Sequence, residues 1–85
     1  MGRITCTTAI AARMDEEERF RQFVLSSLGE FFNGDFGELS EEDKAANIAD
    51  SSFQLGAYKY DVGERRKIWI IKEGNNVTVL YPEEY

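Results

Sequence analysis

A change of period constrains this chain more than any other feature. Phe20, Phe23, Val24, Ser27, Leu28 and Phe31 recur at i, i+3, i+4, i+7, i+8 and i+11, the spacing of one face of an amphipathic helix. From Phe53 the pattern alternates instead. Phe53, Leu55 and Ala57 share one side of a strand, and Tyr58 and Tyr60 take the other. Asp61-Val62-Gly63-Glu64 reads as a turn into Lys67-Ile68-Trp69-Ile70-Ile71-Lys72. Glu73-Gly74-Asn75-Asn76 turns again into Val77–Tyr81, and Pro82 stops the pairing. Three strands joined by short turns predict an antiparallel meander, whose middle member is apolar on both sides and therefore central.

The rest of the chain supplies the other layer. Arg3–Thr7 alternates and is rich in β-branched residues, which predicts a short first strand. Thr7 and Thr8 can cap a brief helical stretch over Ala9–Arg13. Asp15 reads as the N-cap of the long helix, with Glu16–Glu18 in its first turn and Leu25 and Phe32 widening its buried stripe. Asn33-Gly34 ends that helix, and Phe36 and Leu39 are expected to pin the following loop to the core. Ser40 opens another helix with Ala45, Ile48 and Ala49 as its apolar side, ending near Asp50–Ser52. The expectation is an α+β fold, with an antiparallel three- to four-stranded sheet (a short N-terminal strand plus the C-terminal meander) packed on two or three helices. Eighty-five residues suffice for one two-layer core. No linker, repeat or low-complexity tract divides residues 1–85, so a single domain is expected.

Composition then removes whole classes of chemistry. Histidine is absent, which excludes an imidazole base, a His-dependent triad and His-ligated zinc. Cys6 is the single cysteine and cannot form an internal disulfide. No apolar run approaches the ~18 residues of a membrane span, and the N-terminus lacks the continuous apolar core of a signal peptide. A cytoplasmic, non-enzymatic binding protein with no cofactor is the expectation.

The net charge of −6 is localised. Residues 1–29 balance, as do residues 51–85, whereas residues 30–50 hold seven acids against Lys44 alone. Such a field repels nucleic acid and attracts basic protein surfaces, although an acidic helix start also aids solubility and complements the helix dipole. Asp35, Glu38, Glu41, Glu42 and Asp43 are the candidate binding residues. Their neighbours are charged and wet, which disfavours the raised pKa that acid–base catalysis requires. The run from Asn33 lacks the spacing of a calcium loop, so no metal site is assigned, and the glycines form no phosphate-binding motif. A second candidate surface is aromatic: Tyr58, Tyr60 and Trp69, with Tyr81, could line one side of the sheet and contact another protein.

Several stretches resemble a known family. Gly34-Asp35-Phe36-Gly37-Glu38-Leu39-Ser40-Glu41-Glu42-Asp43-Lys44-Ala45-Ala46-Asn47, then Gly56-Ala57-Tyr58, Lys67-Ile68-Trp69-Ile70-Ile71-Lys72-Glu73 and Leu80-Tyr81-Pro82-Glu83-Glu84-Tyr85 follow the pattern of small acidic uncharacterised proteins of bacterial plasmids, integrative elements and phages. The pattern is GDWG-x-L-x-EEDK, then K-x-WIITE, then LLPEEY. Phe36 stands where the pattern has Trp, and Glu73-Gly74-Asn75-Asn76 replaces a longer charged stretch. The family carries no general activity, but its mobile-element setting implies an inhibitor of a host nucleic-acid-handling defence complex, of which an anti-CRISPR protein is the specific form. The implied partner is a host protein or ribonucleoprotein with a basic surface. Duplex DNA presents one charge per ~1.7 Å of axis, and carboxylates on neighbouring helical turns lie about 5–6 Å apart, so an acidic row can occupy cations meant for phosphates. The alternative is a regulatory or antitoxin-like partner protein that binds through its aromatic sheet side. Either a monomer or a homodimer is compatible with the sequence.

Overall fold

The computed structural model describes residues 2–60 and 67–85. In chain order it contains β1 (Arg3–Cys6), α1 (Thr8–Glu16), α2 (Glu18–Phe32), α3 (Glu41–Ala49), β2 (Phe53–Lys59), β3 (Lys67–Glu73), β4 (Asn76–Leu80) and a final 3-10 turn, Pro82–Glu84. The turn expected over Asp61–Glu64 lies outside the described residues.

The α+β class and the C-terminal meander stand, with one correction. The four-stranded sheet has the order β1-β4-β3-β2. β2–β3 and β3–β4 are antiparallel, but β1 runs parallel to β4, from Arg3 opposite Asn76 to Cys6 opposite Val79. The sheet is therefore mixed. The helices carry the chain from β1 to β2 at the opposite edge of the sheet, and the two reversals of the meander then return β4 beside β1 in the same direction.

Period two fixes what each side of the sheet buries. Tyr58 pairs with Ile68, and Gly56 with Ile70, which pairs in turn with Val79. These residues share the side covered by helices, where Tyr58, Tyr60, Ile68, Ile70, Val77, Val79 and Tyr81 pack on Ile10, Phe20, Val24, Phe31 and Phe36. Phe20 stands edge-on to Tyr60, at 5.3 Å between ring centres. Arg13 spreads its guanidinium over the Phe20 ring at 4.2 Å while pairing with Glu17 at 2.7 Å, so its stem packs and its head stays satisfied.

Helix boundaries follow their caps. Thr7 Oγ1 accepts the Ile10 N–H and Ser40 Oγ accepts the Asp43 N–H. Asp15, expected to cap the long helix, lies inside α1. The break falls at Glu17, whose extended backbone separates α1 from α2 and whose N–H is taken by the Arg13 carbonyl. Leu25 and Phe32, expected in the buried stripe, are 51% and 57% exposed. α2 lies on the sheet along the line of Phe20, Val24, Ser27 and Phe31, and those two side chains fall on its shoulder.

The larger surprise is α3. Its apolar residues Ala45, Ile48 and Ala49 face solvent, with Ile48 79% exposed, and the residue it buries is Asn47. The Asn47 side-chain amide donates to the Leu55 carbonyl at 2.7 Å and accepts the Leu55 N–H at 3.1 Å. Gln54 Nε2 donates to the Asn47 carbonyl at 3.0 Å. One amide thus replaces a missing strand at the outer edge of β2. Asn47→Ala leaves both Leu55 groups without their partner and is expected to cost about 2–3 kcal/mol in urea unfolding. Ile48→Ala, in solvent, should change stability by less than about 0.5 kcal/mol. Equal effects of the two substitutions would contradict this packing of α3.

Candidate functional site

The acidic segment is held by its backbone. α2 ends at Asn33, and Gly34 takes a φ of +89°, which is costly for a residue with a Cβ. The Gly34 N–H then reaches the Phe31 carbonyl at 3.1 Å and the Asp35 N–H reaches the Glu30 carbonyl at 2.8 Å, a Schellman closure. Asp35 Oδ1 accepts the Gly37 N–H at 3.0 Å, and the Asp35 carbonyl accepts the Tyr58 hydroxyl at 2.6 Å. Phe36 is buried edge-on against Phe31, 5.6 Å away.

Beyond Phe36 the chain runs along β2. The Ala57 N–H donates to the Phe36 carbonyl at 3.0 Å, and the Glu38 N–H donates to the Ala57 carbonyl at 2.8 Å, a parallel bridge centred on Gly37 and Ala57. Gly37 has φ +73°, and a Cβ there would stand 2.0 Å from the Ala57 oxygen, so close approach and backbone angle both demand glycine. Three residues later Ser40 starts α3, and Asn47 binds Leu55.

Asp35, Glu38, Glu41, Glu42 and Asp43 thus lie along one segment that runs from the end of α2, past the outer edge of β2, into the first turn of α3, and all five are exposed. Three of them, Glu41, Glu42 and Asp43, form the first turn of α3, where the helix dipole favours anions. Their only ion pair among the described residues joins Glu41 to Lys44 at 3.9 Å, with the Glu41 side chain 94% exposed, so it offsets little of the field. The outward side of α3 continues this surface, because Glu41, Ala45 and Ile48 lie at i, i+4 and i+7, opposite the buried Asn47.

The aromatic surface expected from sequence is not assembled. Tyr58 and Tyr60 are 4% and 6% exposed beneath the helices, together with Tyr81. Trp69 pairs with Ala57 and so projects from the opposite side, where its ring meets Tyr85 at 5.8 Å. The hairpin register decides this: Tyr58 opposite Ile68 places even-numbered residues of β2 and β3 on one side and odd-numbered ones on the other. What remains there is Trp69 with the 75% exposed Tyr85, beyond the reach of the two buried tyrosines.

Two concavities flank the acidic edge. A cleft of about 450 Å³ between α2 and the Gly37–Glu38 bridge is lined in part by Phe23, Ser26, Glu30, Glu38 and Lys59. A smaller one, about 220 Å³, lies between α3 and β2 and includes Asp43, Asp50 and Phe53. Among the described residues no three acids or thiols gather closely enough to hold a metal ion, and no helix is long and apolar enough to cross a membrane. Burial pushes the Cys6 thiol above its ordinary range, which keeps it protonated and poorly nucleophilic. Neither the protein-family models, nor the curated proteins, nor the solved structures contain a match to this chain.

Tyr58 carries the clearest electrostatic signature of the site. Burial first, and then the nearby charges of Asp35 and Glu30, raise its pKa above the ordinary value near 10. The folded protein therefore keeps a proton that the unfolded chain releases above about pH 10. The associated stability is present in full below that pH and falls as pH rises beyond it. Tyr58→Phe is expected to flatten this alkaline decline while losing the bond to the Asp35 carbonyl. Denaturation midpoints measured between pH 8 and pH 11 check it, and an unchanged slope would assign the ionisation to another group.

Proposed function

We infer that this protein is a non-enzymatic inhibitor whose acidic edge occupies a basic nucleic-acid-binding surface of a host defence complex. The observation that carries this reading is the exposure of Asp35, Glu38, Glu41, Glu42 and Asp43 along one short segment anchored to β2, beside the exposed apolar side chain of Ile48. A solvated helix start accounts for the three acids of α3. It does not account for Asp35 and Glu38, whose segment is tied down by the Tyr58 hydroxyl on the Asp35 carbonyl and by the Ala57 backbone, nor for an apolar side chain left in water on the adjoining turn.

Interfaces combine such features: a central apolar contact supplies affinity, and surrounding charges supply register and association rate. Carboxylates cannot pair with phosphates, so the chemistry of the complementary surface is Lys and Arg. The nucleic-acid channels of defence nucleases present those cations in rows. The resemblance to mobile-element proteins favours that class of target, with a CRISPR effector as the specific instance. A second reading rests on Trp69 and Tyr85, which form an aromatic pair on the side of the sheet opposite the Tyr58 and Tyr60 core suited to a regulatory or antitoxin-like contact.

The deciding experiment titrates the protein into a guide-loaded CRISPR effector and follows target-DNA binding by fluorescence anisotropy. The wild type is expected to displace DNA with an affinity that falls steeply with salt. Glu41→Lys combined with Glu42→Lys should weaken the block by at least about a hundredfold, and Ile48→Ala by about tenfold, both with unchanged circular dichroism. A block that survives the double reversal and high salt but is lost in Trp69→Ala would overturn the acidic-edge reading. No displacement at all would remove the CRISPR effector as the target.

A further inference from the structure

The two edges of the sheet are finished differently. At β2 the outward groups of Leu55 and Ala57 are taken by Asn47 and by the Phe36–Glu38 backbone. At β1 the sheet stops, since among the described residues β4 is its only strand neighbour. The N–H of Arg3 donates inward to the Asn75 carbonyl at 3.2 Å, and that of Thr7 to the Val79 carbonyl at 3.1 Å. Thr5 falls between them in the same parallel register, opposite Thr78. Alternation then turns the N–H and C=O of Ile4 and Cys6 away from β4. Ile4, although apolar, is 55% exposed. An uncovered strand with an apolar side chain is a template for another strand.

We propose that a second copy of this chain docks on this edge, β1 against β1, antiparallel about a twofold axis at Thr5. In that register Ile4 of each copy exchanges both backbone hydrogen bonds with Cys6 of the other, and Thr5 faces Thr5 at the closer, non-hydrogen-bonded position. Charge complementarity selects the register. Arg3 is exposed and has no acidic partner among the described residues. The pairing sets Arg3 opposite Thr7 of the second copy. Thr7 Oγ1 donates to Glu84 Oε1 at 2.9 Å, so a carboxylate already stands beside that position, and symmetry makes the match twice. Because the twofold contact uses the β1 edge of both copies, and the β2 edge is blocked at Leu55 and Ala57, addition ends at two chains and produces a closed dimer rather than a filament. The continuous eight-stranded sheet then carries an acidic edge at each far end, which gives the dimer two equivalent docking surfaces.

Sedimentation velocity of the full chain over a concentration series tests the proposal. The wild type is expected to sediment as a concentration-dependent dimer. Ile4→Pro removes an outward N–H and leaves the inward donors of Arg3, Thr5 and Thr7 in place, so it should weaken the dimer roughly tenfold or more with unchanged circular dichroism. Arg3→Glu should weaken it further as salt is lowered, because it then faces a like charge. Thr5→Cys in a Cys6→Ser background should form an intermolecular disulfide on mild oxidation, since non-hydrogen-bonded antiparallel partners lie about 4.5 Å apart at Cα. Arg3→Cys in the same background should not. A chain that stays monomeric up to about 1 mM would overturn the proposal. So would a dimer indifferent to Ile4→Pro and not cross-linked through Thr5→Cys, which would place the contact on another surface.

Discussion

The closure of the β2 edge is the constraint on which the rest of this structure depends. A strand at the margin of a sheet leaves every second backbone amide and carbonyl without a partner, and each such group is costly when water is excluded. Here the solution uses no strand. Asn47 offers one side-chain amide that both donates and accepts, and Phe36 and Glu38 contribute a carbonyl and an N–H two residues apart. Those bonds determine how α3 is oriented. The helix must turn Asn47 inward, and with 3.6 residues per turn Ile48 and Ala45 are then directed outward. The usual order, in which apolar packing orients a helix and polar groups take what is left, is reversed.

That inversion links fold to function. The segment that satisfies the edge is also the segment that carries the acids, so its backbone cannot move without exposing β2. The segment that carries Asp35, Glu38, Glu41, Glu42 and Asp43 is held by its backbone, and of their carboxylates that of Asp35 alone takes part in holding it among the described residues. The charged groups stay free to meet a partner while the chain beneath them is already ordered, which reduces the entropy lost on binding. Glu84 shows the opposite use of a carboxylate. It accepts the Tyr81 N–H at 2.8 Å and the Thr7 hydroxyl, and so ties the C-terminal turn to the start of α1.

Much of the architecture was legible in local pattern. The i, i+3, i+4 spacing from Phe20 to Phe31 gave α2, the alternation from Phe53 onward gave the strands, and Ser40 with Asp43 gave the start of α3. Asn33-Gly34 gave the end of α2, because a left-handed residue is needed there and glycine tolerates it. The acidic edge was legible as composition, since seven acids in residues 30–50 cannot all be neutralised by Lys44. Less legible were Leu25 and Phe32, whose place in a wide apolar stripe depends on how far α2 rolls over the sheet. Asn47 was readable only as a polar residue on a short helix; nothing in the spacing of α3 announces that its target is Leu55, eight residues away on another element.

The amino-acid sequence by itself determined the main elements, the caps at Thr7, Ser40 and Asn33-Gly34, and the position of the net charge, because these follow from periodicity, backbone preference and counting within a few residues. Tertiary structure alone decided three other matters. It made β1 parallel to β4, since the helices cross to β2 at the far edge and two reversals bring the chain back in its first direction. It separated Trp69 from Tyr58 and Tyr60, since strand register, not residue type, assigns a side of the sheet. And it turned the apolar side of α3 to solvent, since satisfying two backbone groups of the half-buried Leu55 through one Asn outweighs covering one isoleucine.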